Sequence, residues 1–266
     1  MKQILTIAGS DSGGGAGIQA DIKAISANGG YALSAVTSVT AQNTVAVTAA
    51  FDLPVPLIEA QLDAIFTDFS VASVKTGMLA SPAIVEAVAG KLREYAPPTV
   101  VIDPVIRSTS RFPLLKTEAI DSLKNVLLPL ATVVTPNIHE AELLAEQDIR
   151  DATDAKIAAK TIAKYGCQAV LVKGGHLTGS RATDVLYFDG QWHLFEAERI
   201  ETENTHGTGC TYSAAIAAHL GQGKDLRDAI RTAKTYITGA IQHALDIGHG
   251  HGPTHHFFQW ASPRGL

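Results

Sequence analysis

The 266-residue chain has only two cysteines, no long apolar run and no excess of basic residues. Cys167 and Cys210 are too few for a disulfide framework and form no C-x-x-C pair, so we expect reduced thiols in a cytoplasmic protein. A net charge of -5 gives no electrostatic reason to expect nucleic-acid binding, which usually shows as a basic face. No apolar run approaches the roughly 18 residues of a membrane helix, and Met1 to Gln3 lead into a strand pattern without a signal peptide. We therefore expect neither a nucleic-acid nor a membrane partner.

Short β-branched runs alternate with longer, alanine-rich amphipathic segments. The predicted strands are Ile4–Ala8, Ala35–Thr40, Val71–Lys75, Val100–Asp103, Val133–Thr135 and Ala169–Lys173. The predicted helices are Gly17–Ala27, Pro56–Phe69, Pro82–Tyr95, His139–Glu146, Asp154–Tyr165, Gly209–Leu220 and Leu226–Leu245. Strands that are apolar throughout are buried on both faces, so this order predicts an α/β fold with a parallel sheet between helix layers.

One β-hairpin interrupts the alternation. Asp184–Phe188 and Trp192–Phe195 are joined through Asp189-Gly190, and Asp-Gly is a strong turn signal. The chain contains no repeat, no low-complexity tract and no charged linker. We therefore predict a single three-layer α/β/α domain over residues 1–266.

A glycine cluster, Gly9 to Asp21, lies between the first predicted strand and the first helix. Such a cluster lets a ligand approach the backbone closely. It is not a P-loop, because Gly15 and Ala16 stand where Lys and Ser/Thr are required, and Ile18 breaks the dinucleotide pattern G-x-G-x-x-G. A ligand loop and a plain tight turn both remain open.

A second glycine loop, His206-Gly207-Thr208-Gly209-Cys210, opens an alanine-rich helix. Successive backbone N–H groups at a helix N-terminus form an anion pocket. The helix dipole there lowers the pKa of a thiol below about 8.5, which predicts Cys210 as a base or nucleophile. The alternative is that Cys210 is a small buried hydrophobic residue, as most free cysteines are.

Polar residues also follow several strands, where open α/β sheets bind ligands. They are Asp103, Asn137, Glu140 and Lys173. Two acids, an amide and a lysine that converge there suit a phosphate site with Mg²⁺, which prefers oxygen ligands and keeps water. Each alone could be a surface charge or a helix cap, and Asn137 is well placed as a cap.

Seven segments carry a family resemblance: T-I-A-G-S-D-S-G-G-G-A-G-I-Q-A-D, A-Q-N-T, K-T-G-M-L, D-P-V, T-P-N-I-H-E-A, V-K-G-G-H and N-T-H-G-T-G-C-T-Y-S-A-A. The chain resembles the hydroxymethylpyrimidine/phosphomethylpyrimidine kinases of thiamine biosynthesis, which belong to the ribokinase-like superfamily. The resemblance extends to G-H-G-H-G-P-T-H-H-F at 248–257 and so covers nearly the whole chain. It implies a ribokinase-like fold, with ATP and Mg²⁺ as cofactors and a cytoplasmic homodimer. A monovalent-cation requirement stays open.

The resemblance also implies a reaction. These kinases phosphorylate the hydroxymethyl group of 4-amino-5-hydroxymethyl-2-methylpyrimidine and then convert the monophosphate to the diphosphate. The implied catalytic group is the anion hole, with Cys210 as general base beside Gly207, Thr208 and Gly209. The implied ATP and phosphate residues are Lys173, Asn137, Asp103 and Thr205, with Glu140 organising Mg²⁺ through water. The implied pyrimidine pocket contains Gln42, Asp21, Gly9, Gly15 and Met78.

One stretch departs from the family pattern. After D-P-V the family usually has a small residue, then Lys-Ser-Gly, in a flap over the substrate. Here residues 107–115 read R-S-T-S-R-F-P-L-L, with Thr109 at the lysine and Arg111 at the glycine. Flap geometry and the second phosphorylation are therefore open, and Arg107 or Arg111 could supply the cation.

Other functions remain to be distinguished. Pyridoxal kinases of the same fold are the nearest alternative, and Gln42-Asn43-Thr44 favours the pyrimidine enzyme because that branch tends to have methionine at the first position. A cysteine hydrolase using Cys210 and His206 lacks the nucleophile-elbow pattern. The H-x-H spacing of His249 and His251 can bind Zn²⁺, but no cysteine is close by in sequence, so we expect no zinc site there.

Overall fold

The structure is a computed structural model that describes residues 1–106, 114–176 and 179–260. Within these residues nine strands form one sheet. They are β1 (Gln3–Asp11), β2 (Tyr31–Gln42), β3 (Val47–Asp52), β4 (Val71–Thr76), β5 (Val100–Ile102), β6 (Val133–Val134), β7 (Ala169–Val172), β8 (Arg181–Phe188) and β9 (Gln191–Glu198).

Helices connect and cover these strands. In the same described ranges they are α1 (Gly17–Ala27), α2 (Val55–Asp68), α3 (Pro82–Tyr95), α4 (Ala119–Ser122), α5 (Ile138–Ala145), α6 (Ala152–Ala163), α7 (Thr208–Gly221) and α8 (Leu226–Gln242). A π-helical turn, Leu123–Leu127, and a 3₁₀ turn, Leu128–Leu130, follow α4. No helix of the described chain is both long and apolar enough to cross a bilayer.

The centre of the sheet is parallel and its two edges are antiparallel. The strand order is β3-β2-β1-β4-β5-β6-β7-β8-β9, with parallel pairing from β2 through β7. β3 runs antiparallel to β2, and β8 and β9 form the predicted hairpin. Asp189 and Gly190 both have positive φ, 50° and 72°, as a two-residue turn of type I′ requires. The predicted, mostly parallel sheet is confirmed.

Successive side chains of the central strands enter two different hydrophobic clusters. Val170 and Val172 pack in the cluster with α2, α3, α5 and α6, whereas Ala169 and Leu171 pack in the cluster with α1, α7 and α8. All four are fully buried, which is why these strands read as continuous apolar runs. The sheet therefore lies between two helix layers, as in the predicted three-layer α/β/α sandwich.

Two features were not predicted. β3 is an edge strand whose residues Thr48 to Phe51 are exposed, so it has no apolar alternation to reveal it. The helical stretch from Ala119 was missed because α4 has only four residues and Pro129 lies within the short turns that follow. Predicted helix ends differ from the observed ones by a few residues, as at α5, which begins at Ile138 because Asn137 is its N-cap.

Candidate active site

A cavity of about 1340 Å³ opens at the carboxyl ends of the parallel strands. Twelve of the residues singled out in the sequence line it: Gly9, Gln42, Met78, Asp103, Asn137, Glu140, Lys173, Thr205, Gly207, Thr208, Gly209 and Cys210. The strands bring these residues together because parallel strands end at the same edge of the sheet. α7 adds the last of them, since it begins at this edge and packs against α1 and β4.

Asp21 and Gly15 lie behind the cavity wall. The Asp21 side chain is fully buried and accepts hydrogen bonds from Thr6 Oγ1 and Lys75 Nζ, the latter at 2.8 and 2.9 Å. Asp21 therefore has no surface open to the cavity in this structure, and its place in the pyrimidine pocket stays a prediction. Gly15 is also buried, and a Cβ on it would lie 2.3 Å from the His206 ring, so Gly15 packs under the second glycine loop instead of facing a ligand.

Gly207 shapes the start of α7. Its φ of 77° lies in the left-handed region, and a Cβ there would come within 1.7 Å of the Gly15 carbonyl oxygen. Only glycine fits this combination of backbone angle and contact. The first and second glycine loops are therefore in backbone contact at this point.

The first turn of α7 offers backbone donors to the cavity. The Thr208 N–H donates to Thr205 O at 3.2 Å, and its hydroxyl donates to the same oxygen at 2.7 Å, so the predicted anion-binding N–H of Thr208 is already used. The N–H groups of Gly209 and Cys210 are too close to the helix start to reach an intrahelical carbonyl. Both groups therefore remain as donors for an anion.

Cys210 lies at this helix end but is not acidified by it. Burial raises the pKa of its thiol to about 11, against the opposing effect of the nearby Lys75 ammonium and the hydrogen bond from the Gly17 backbone. The lowered pKa predicted from the helix dipole is therefore wrong. The helix N-terminus favours the thiolate, but loss of hydration costs more.

This pKa has a direct chemical test. In a Cys167→Ala chain, where Cys210 is the remaining thiol, we expect the rate of alkylation by iodoacetamide to rise about tenfold per pH unit from pH 7.5 to 9.5. The reason is that the thiolate fraction is still growing throughout this range. Mass spectrometry of the peptide containing Cys210 gives the rate, with free N-acetylcysteine as the control. A plateau below pH 9 would contradict the raised pKa.

Lys173 and Asp103 form an ion pair beside the anion loop. Lys173 Nζ lies 2.7 Å from Asp103 Oδ1, and a Cβ on Gly209 would lie 3.3 Å from the same Nζ. Burial would raise the pKa of Asp103, but the Lys173 and Lys75 ammonium groups lower it below its usual value. The pair therefore remains ionised next to the first turn of α7.

Asn137 and Glu140 form a capping box at the start of α5. The Glu140 N–H donates to Asn137 Oδ1 at 2.9 Å, and the Asn137 N–H donates to Glu140 Oε2 at 2.8 Å. Burial, reinforced by Asp103, raises the pKa of Glu140 to about 7, although Lys173 opposes this. The side chains assigned to metal and phosphate thus also hold the helix N-terminus, and the sequence alternative of a cap is correct for Asn137.

The acidic residues suit a magnesium ion that keeps other ligands. Asp103 and Glu140 both line the cavity, and carboxylate oxygens are the donor type that Mg²⁺ prefers. Among the described residues no group of three His, Cys, Asp or Glu side chains is placed to hold a metal by itself. The two carboxylates therefore fit an ion whose remaining ligands are water and phosphate oxygens.

Gln42 ends β2 and Lys173 follows β7, so they lie in opposite halves of the cavity, at the two ends of the parallel part of the sheet. Its amide Oε1 is 3.2 Å from Thr40 Oγ1, and its amide Nε2 is 3.4 Å from His206 Nε2. His206 Nε2 is also 2.8 Å from Asp11 Oδ2. His206 thus contacts two side chains of the substrate half, Gln42 and Asp11. Met78 and Gly9 form the adjoining wall.

Residues Gly248–Thr254, which we call the strap, connect this half to the anion loop. The His251 N–H donates to Thr44 O at 3.0 Å, in the turn after Gln42. A Cβ on Gly250 would lie 2.2 Å from that same oxygen, so the backbones meet only because this residue is glycine. At its other end, Gly252 O accepts from the His206 N–H at 3.1 Å.

A further polar cluster, around Asp184, lines the cavity. Asp184 Oδ2 accepts from Lys234 Nζ at 2.7 Å and from the Tyr212 hydroxyl at 3.1 Å. Its Oδ1 accepts from the Gly174 N–H at 3.0 Å, immediately after Lys173. Neither this cluster nor a role for Lys75 in the site was predicted from the sequence. The local signal for Lys75 was its position in the apolar run of β4, because a lysine buried there needs a carboxylate partner.

The departure from the family pattern at Arg107, Thr109 and Arg111 lies outside the described residues.

The chain is similar to known proteins over nearly its whole length. A sequence model of phosphomethylpyrimidine kinase matches residues 11–255. A Haemophilus influenzae protein named hydroxymethylpyrimidine/phosphomethylpyrimidine kinase is 47% identical over 268 residues, which cover 99% of this chain and 98% of the relative.

Two solved structures are similar throughout. The phosphomethylpyrimidine kinase of Clostridium difficile 630 is 42% identical with a TM-score of 0.81, and the match covers 91% of this chain and 100% of that one. A pyridoxal kinase of Bacillus subtilis, solved as an ADP complex, is 39% identical with a TM-score of 0.92 over 98% of this chain and 100% of that one.

Proposed function

The chain belongs to the hydroxymethylpyrimidine/phosphomethylpyrimidine kinase family, and from this membership we propose how its residues carry out the reaction. The reaction is ATP-dependent phosphorylation of 4-amino-5-hydroxymethyl-2-methylpyrimidine and of its monophosphate, in thiamine biosynthesis. The observation that carries the proposal is a cavity with two different halves. A primary amide, Gln42, lies at the end of β2, and a cation, Lys173, follows β7 beside the N-terminus of α7.

The amide suits the pyrimidine ring. A 4-aminopyrimidine presents an amine donor next to the acceptor nitrogen at position 3, and a primary amide presents the complementary acceptor and donor in one plane. Gln reads adenine in nucleic acids through the same pairing. Gln42 therefore binds the ring, and Met78 and Gly9 provide the apolar and backbone walls of the pocket.

The anion loop and Lys173 suit the transferring phosphate. Gly209 and Cys210 aim two backbone N–H groups at its developing charge, and Lys173 adds a cation that Asp103 holds in place. The region from Ala197 to Thr202 extends the same cavity toward the Asp184–Lys234 cluster and accommodates the rest of ATP. Phosphoryl transfer depends mostly on such positioning and charge stabilisation.

Cys210 removes the proton from the substrate hydroxyl. With a thiol pKa of about 11, the thiolate is about one part in 10⁴ at pH 7. That small fraction is a strong base, and the buried Lys75 ammonium stabilises it. Asp21 keeps this ammonium charged: burial would lower the pKa of Lys75, but the adjacent carboxylate raises it. Asp21 thereby acts one layer behind the site instead of touching substrate.

Magnesium completes the phosphate half. Mg²⁺ neutralises phosphate oxygens when bound, and Asp103 and Glu140 are the residues that would hold it, Glu140 through water. Asn137 keeps Glu140 in place through the capping box. Thr205 contributes by orienting Thr208 and the first turn of α7.

A turnover screen tests the function. We expect purified protein with Mg-ATP to release ADP with hydroxymethylpyrimidine and with its monophosphate, and to release less with pyridoxal. A pyridoxal kinase would show the reverse order, and the similarity to the Bacillus subtilis enzyme makes this the second candidate. A cysteine hydrolase or a binding module would release no ADP with any of the three.

Gln42→Met is expected to lower kcat/KM for hydroxymethylpyrimidine by about 10- to 100-fold. The variant leaves the amine and ring nitrogen without partners, and an unsatisfied buried polar group costs roughly 1–3 kcal/mol. Pyridoxal has a phenolic oxygen and no matching amine, so its kcat/KM should be spared or improved. Steady-state kinetics with both substrates on both proteins measures the change. An equal loss on the two substrates would show that Gln42 does not read the ring.

We also propose a cytoplasmic homodimer in which all 266 residues act as one catalytic unit. The family resemblance supports the cytoplasmic location, the homodimer and the single catalytic unit. Sedimentation velocity of the purified chain tests the oligomeric state, and a sedimenting species with the mass of one 28.0 kDa chain would contradict it.

A further inference from the structure

The two glycine loops of the cavity meet at the carboxylate of Asp11, which is buried. Its Oδ1 accepts a hydrogen bond from the Gly13 N–H at 2.8 Å, and its Oδ2 accepts from the N–H groups of Gly15 and Ala16 at 3.1 and 2.8 Å. His206 Nε2 lies 2.8 Å from the same Oδ2. Three donors therefore come from the first glycine loop, and the fourth comes from the residue that opens the second.

Asp11 is ionised when it makes these contacts. Burial would raise the pKa of its carboxyl group, but the hydrogen bonds from His206 and from the Ala16 and Gly13 N–H groups lower it below the usual value. An ionised carboxylate only accepts, so His206 Nε2 carries the shared proton and donates it. Hydrogen bonds to a charged acceptor are roughly twice as strong as neutral ones, so this one side chain holds both loops.

Direct contacts keep the two loops in one relative position. A Cβ on Gly207 would lie 1.7 Å from the Gly15 carbonyl oxygen, and a Cβ on Gly15 would lie 2.3 Å from the His206 ring. The first loop also contacts the reacting thiol, because the Gly17 backbone N–H donates a hydrogen bond to Cys210, which favours the thiolate. A shift of the first loop would therefore alter both the anion loop and the general base.

Asp11 binds the residues that adjoin both reacting groups. On one side it accepts from the Ala16 N–H, and Gly17 is the next residue. On the other side it accepts from His206, which Gly207 follows directly at the start of α7. Both oxygens of Asp11 are engaged by these protein donors, so its effect on the reaction passes through the loops.

We propose that Asp11 is a positioning residue for phosphoryl transfer that holds both glycine loops around the reacting groups. Through the first loop it keeps the Gly17 N–H at Cys210. Through His206 it keeps the N–H groups of the anion loop at the transferring phosphate. The inference rests on the proposed function, since it assigns a role within that reaction.

The expected effect is on the transition state. Preorganised donors stabilise charge that develops during the reaction, and a misplacement of about 1 Å can cost about 10²-fold in rate. Nucleotide binding in the ground state depends on these donors much less. Loss of the network should therefore lower kcat and leave the affinity for Mg-ADP nearly unchanged.

A pair of His206 variants tests the contact with the anion loop. His206→Leu fills a similar space without a donor, and kcat for hydroxymethylpyrimidine should fall about 10²-fold. Asp11 keeps its three backbone donors in this variant, so we expect the chain to fold. His206→Gln places an amide N–H close to the position of the ring Nε2 and should recover most of the loss.

Asp11→Asn tests the carboxylate itself. One amide nitrogen replaces one oxygen, so at least one of the four donors faces another donor, and kcat should fall at least about tenfold. The double variant with His206→Leu should lose less than the product of the two single losses, because the residues share one contact. Asp151→Asn is the matched control: this exposed carboxylate accepts from the Thr153 and Asp154 N–H groups at the start of α6, and its loss should leave kcat unchanged.

A transition-state mimic separates positioning from folding. Fluoroaluminate beside Mg-ADP takes the place of the transferring phosphoryl group, whereas Mg-ADP alone leaves that place empty. In His206→Leu and Asp11→Asn the affinity for Mg-ADP with fluoroaluminate and hydroxymethylpyrimidine should fall by the same factor as kcat, and the affinity for Mg-ADP by less than about threefold. Calorimetry measures both affinities, and urea denaturation shows that each variant is folded.

The outcomes distinguish this inference from the proposed function. A selective loss of the fluoroaluminate complex that His206→Gln recovers supports the inference. It is overturned if both variants keep kcat and this affinity within about threefold of the wild type, or if all affinities fall together, as a role in folding alone would produce. A wild-type chain without turnover on hydroxymethylpyrimidine would overturn the proposed function and the inference with it. If Asp11→Asn is unfolded, the two His206 variants decide by the same criteria.

Discussion

Cys210→Ala is expected to lower kcat by about 10²- to 10⁴-fold, the usual cost of losing a general base. The backbone N–H groups of Gly209 and Cys210 remain in the variant, and so does Lys173, so KM for ATP should change far less than kcat. Steady-state kinetics with hydroxymethylpyrimidine and Mg-ATP measures both constants. A variant with near-normal kcat would mean that the thiol only fills space.

The pH dependence adds a second readout. Because the thiol pKa is about 11, the thiolate fraction of the wild type grows through the range from pH 6.5 to 8.5, and kcat should rise with it. The alanine variant should lack this rise. Cys167→Ala is the matched control, since Cys167 is a buried thiol bonded to Ile162 O away from the cavity and its loss should leave kcat unchanged.

Lys173→Ala is expected to lower kcat/KM for ATP by about 10²- to 10³-fold, comparable to the loss of one preorganised donor to transition-state charge. It should also destabilise the fold by about 3–5 kcal/mol, because Asp103 is then a buried carboxylate without its 2.7 Å partner. Kinetics and urea denaturation measure the two effects. An unchanged kcat/KM would place Lys173 away from the phosphates.

A double variant separates chemistry from stability. Lys173→Ala with Asp103→Asn removes both charges, so it should recover part of the lost free energy of unfolding without recovering kcat/KM. Lys91→Ala is the surface control: its ammonium pairs with Asp63 and Glu94 in a partly exposed setting, and its loss should cost less than about 1 kcal/mol and leave the kinetics unchanged.

Local signals predicted much of the fold. α1 and α3 begin and end where the sequence predicts, and Ser81 before Pro82 is a cap and first-turn pair that marks the start of α3. The hairpin turn at Asp189-Gly190 was also predicted correctly from its two residues. β3 was not, because an exposed edge strand carries no burial pattern.

The chemistry of the site was less predictable because it depends on distant partners. Strand ends brought Asp103, Asn137 and Lys173 together as expected, and their assigned roles stay predictions. The sign of the Cys210 pKa shift was wrong because burial cannot be read from the residues around position 210. Asp21 is bonded to Lys75, which is 54 residues away, and His206 is bonded to Asp11, which is 195 residues away. No local pattern links such pairs.

The strap has a consequence for protein synthesis. The strap forms hydrogen bonds to the turn after Gln42 and to the loop before Gly207. The ribosome adds the strap only after α8, so these two walls of the cavity are synthesised before the segment that connects them. Translation at about 5–20 residues per second leaves the sheet time to fold before this segment emerges. A nascent chain therefore stays a poor binder of pyrimidine until synthesis has passed Thr254.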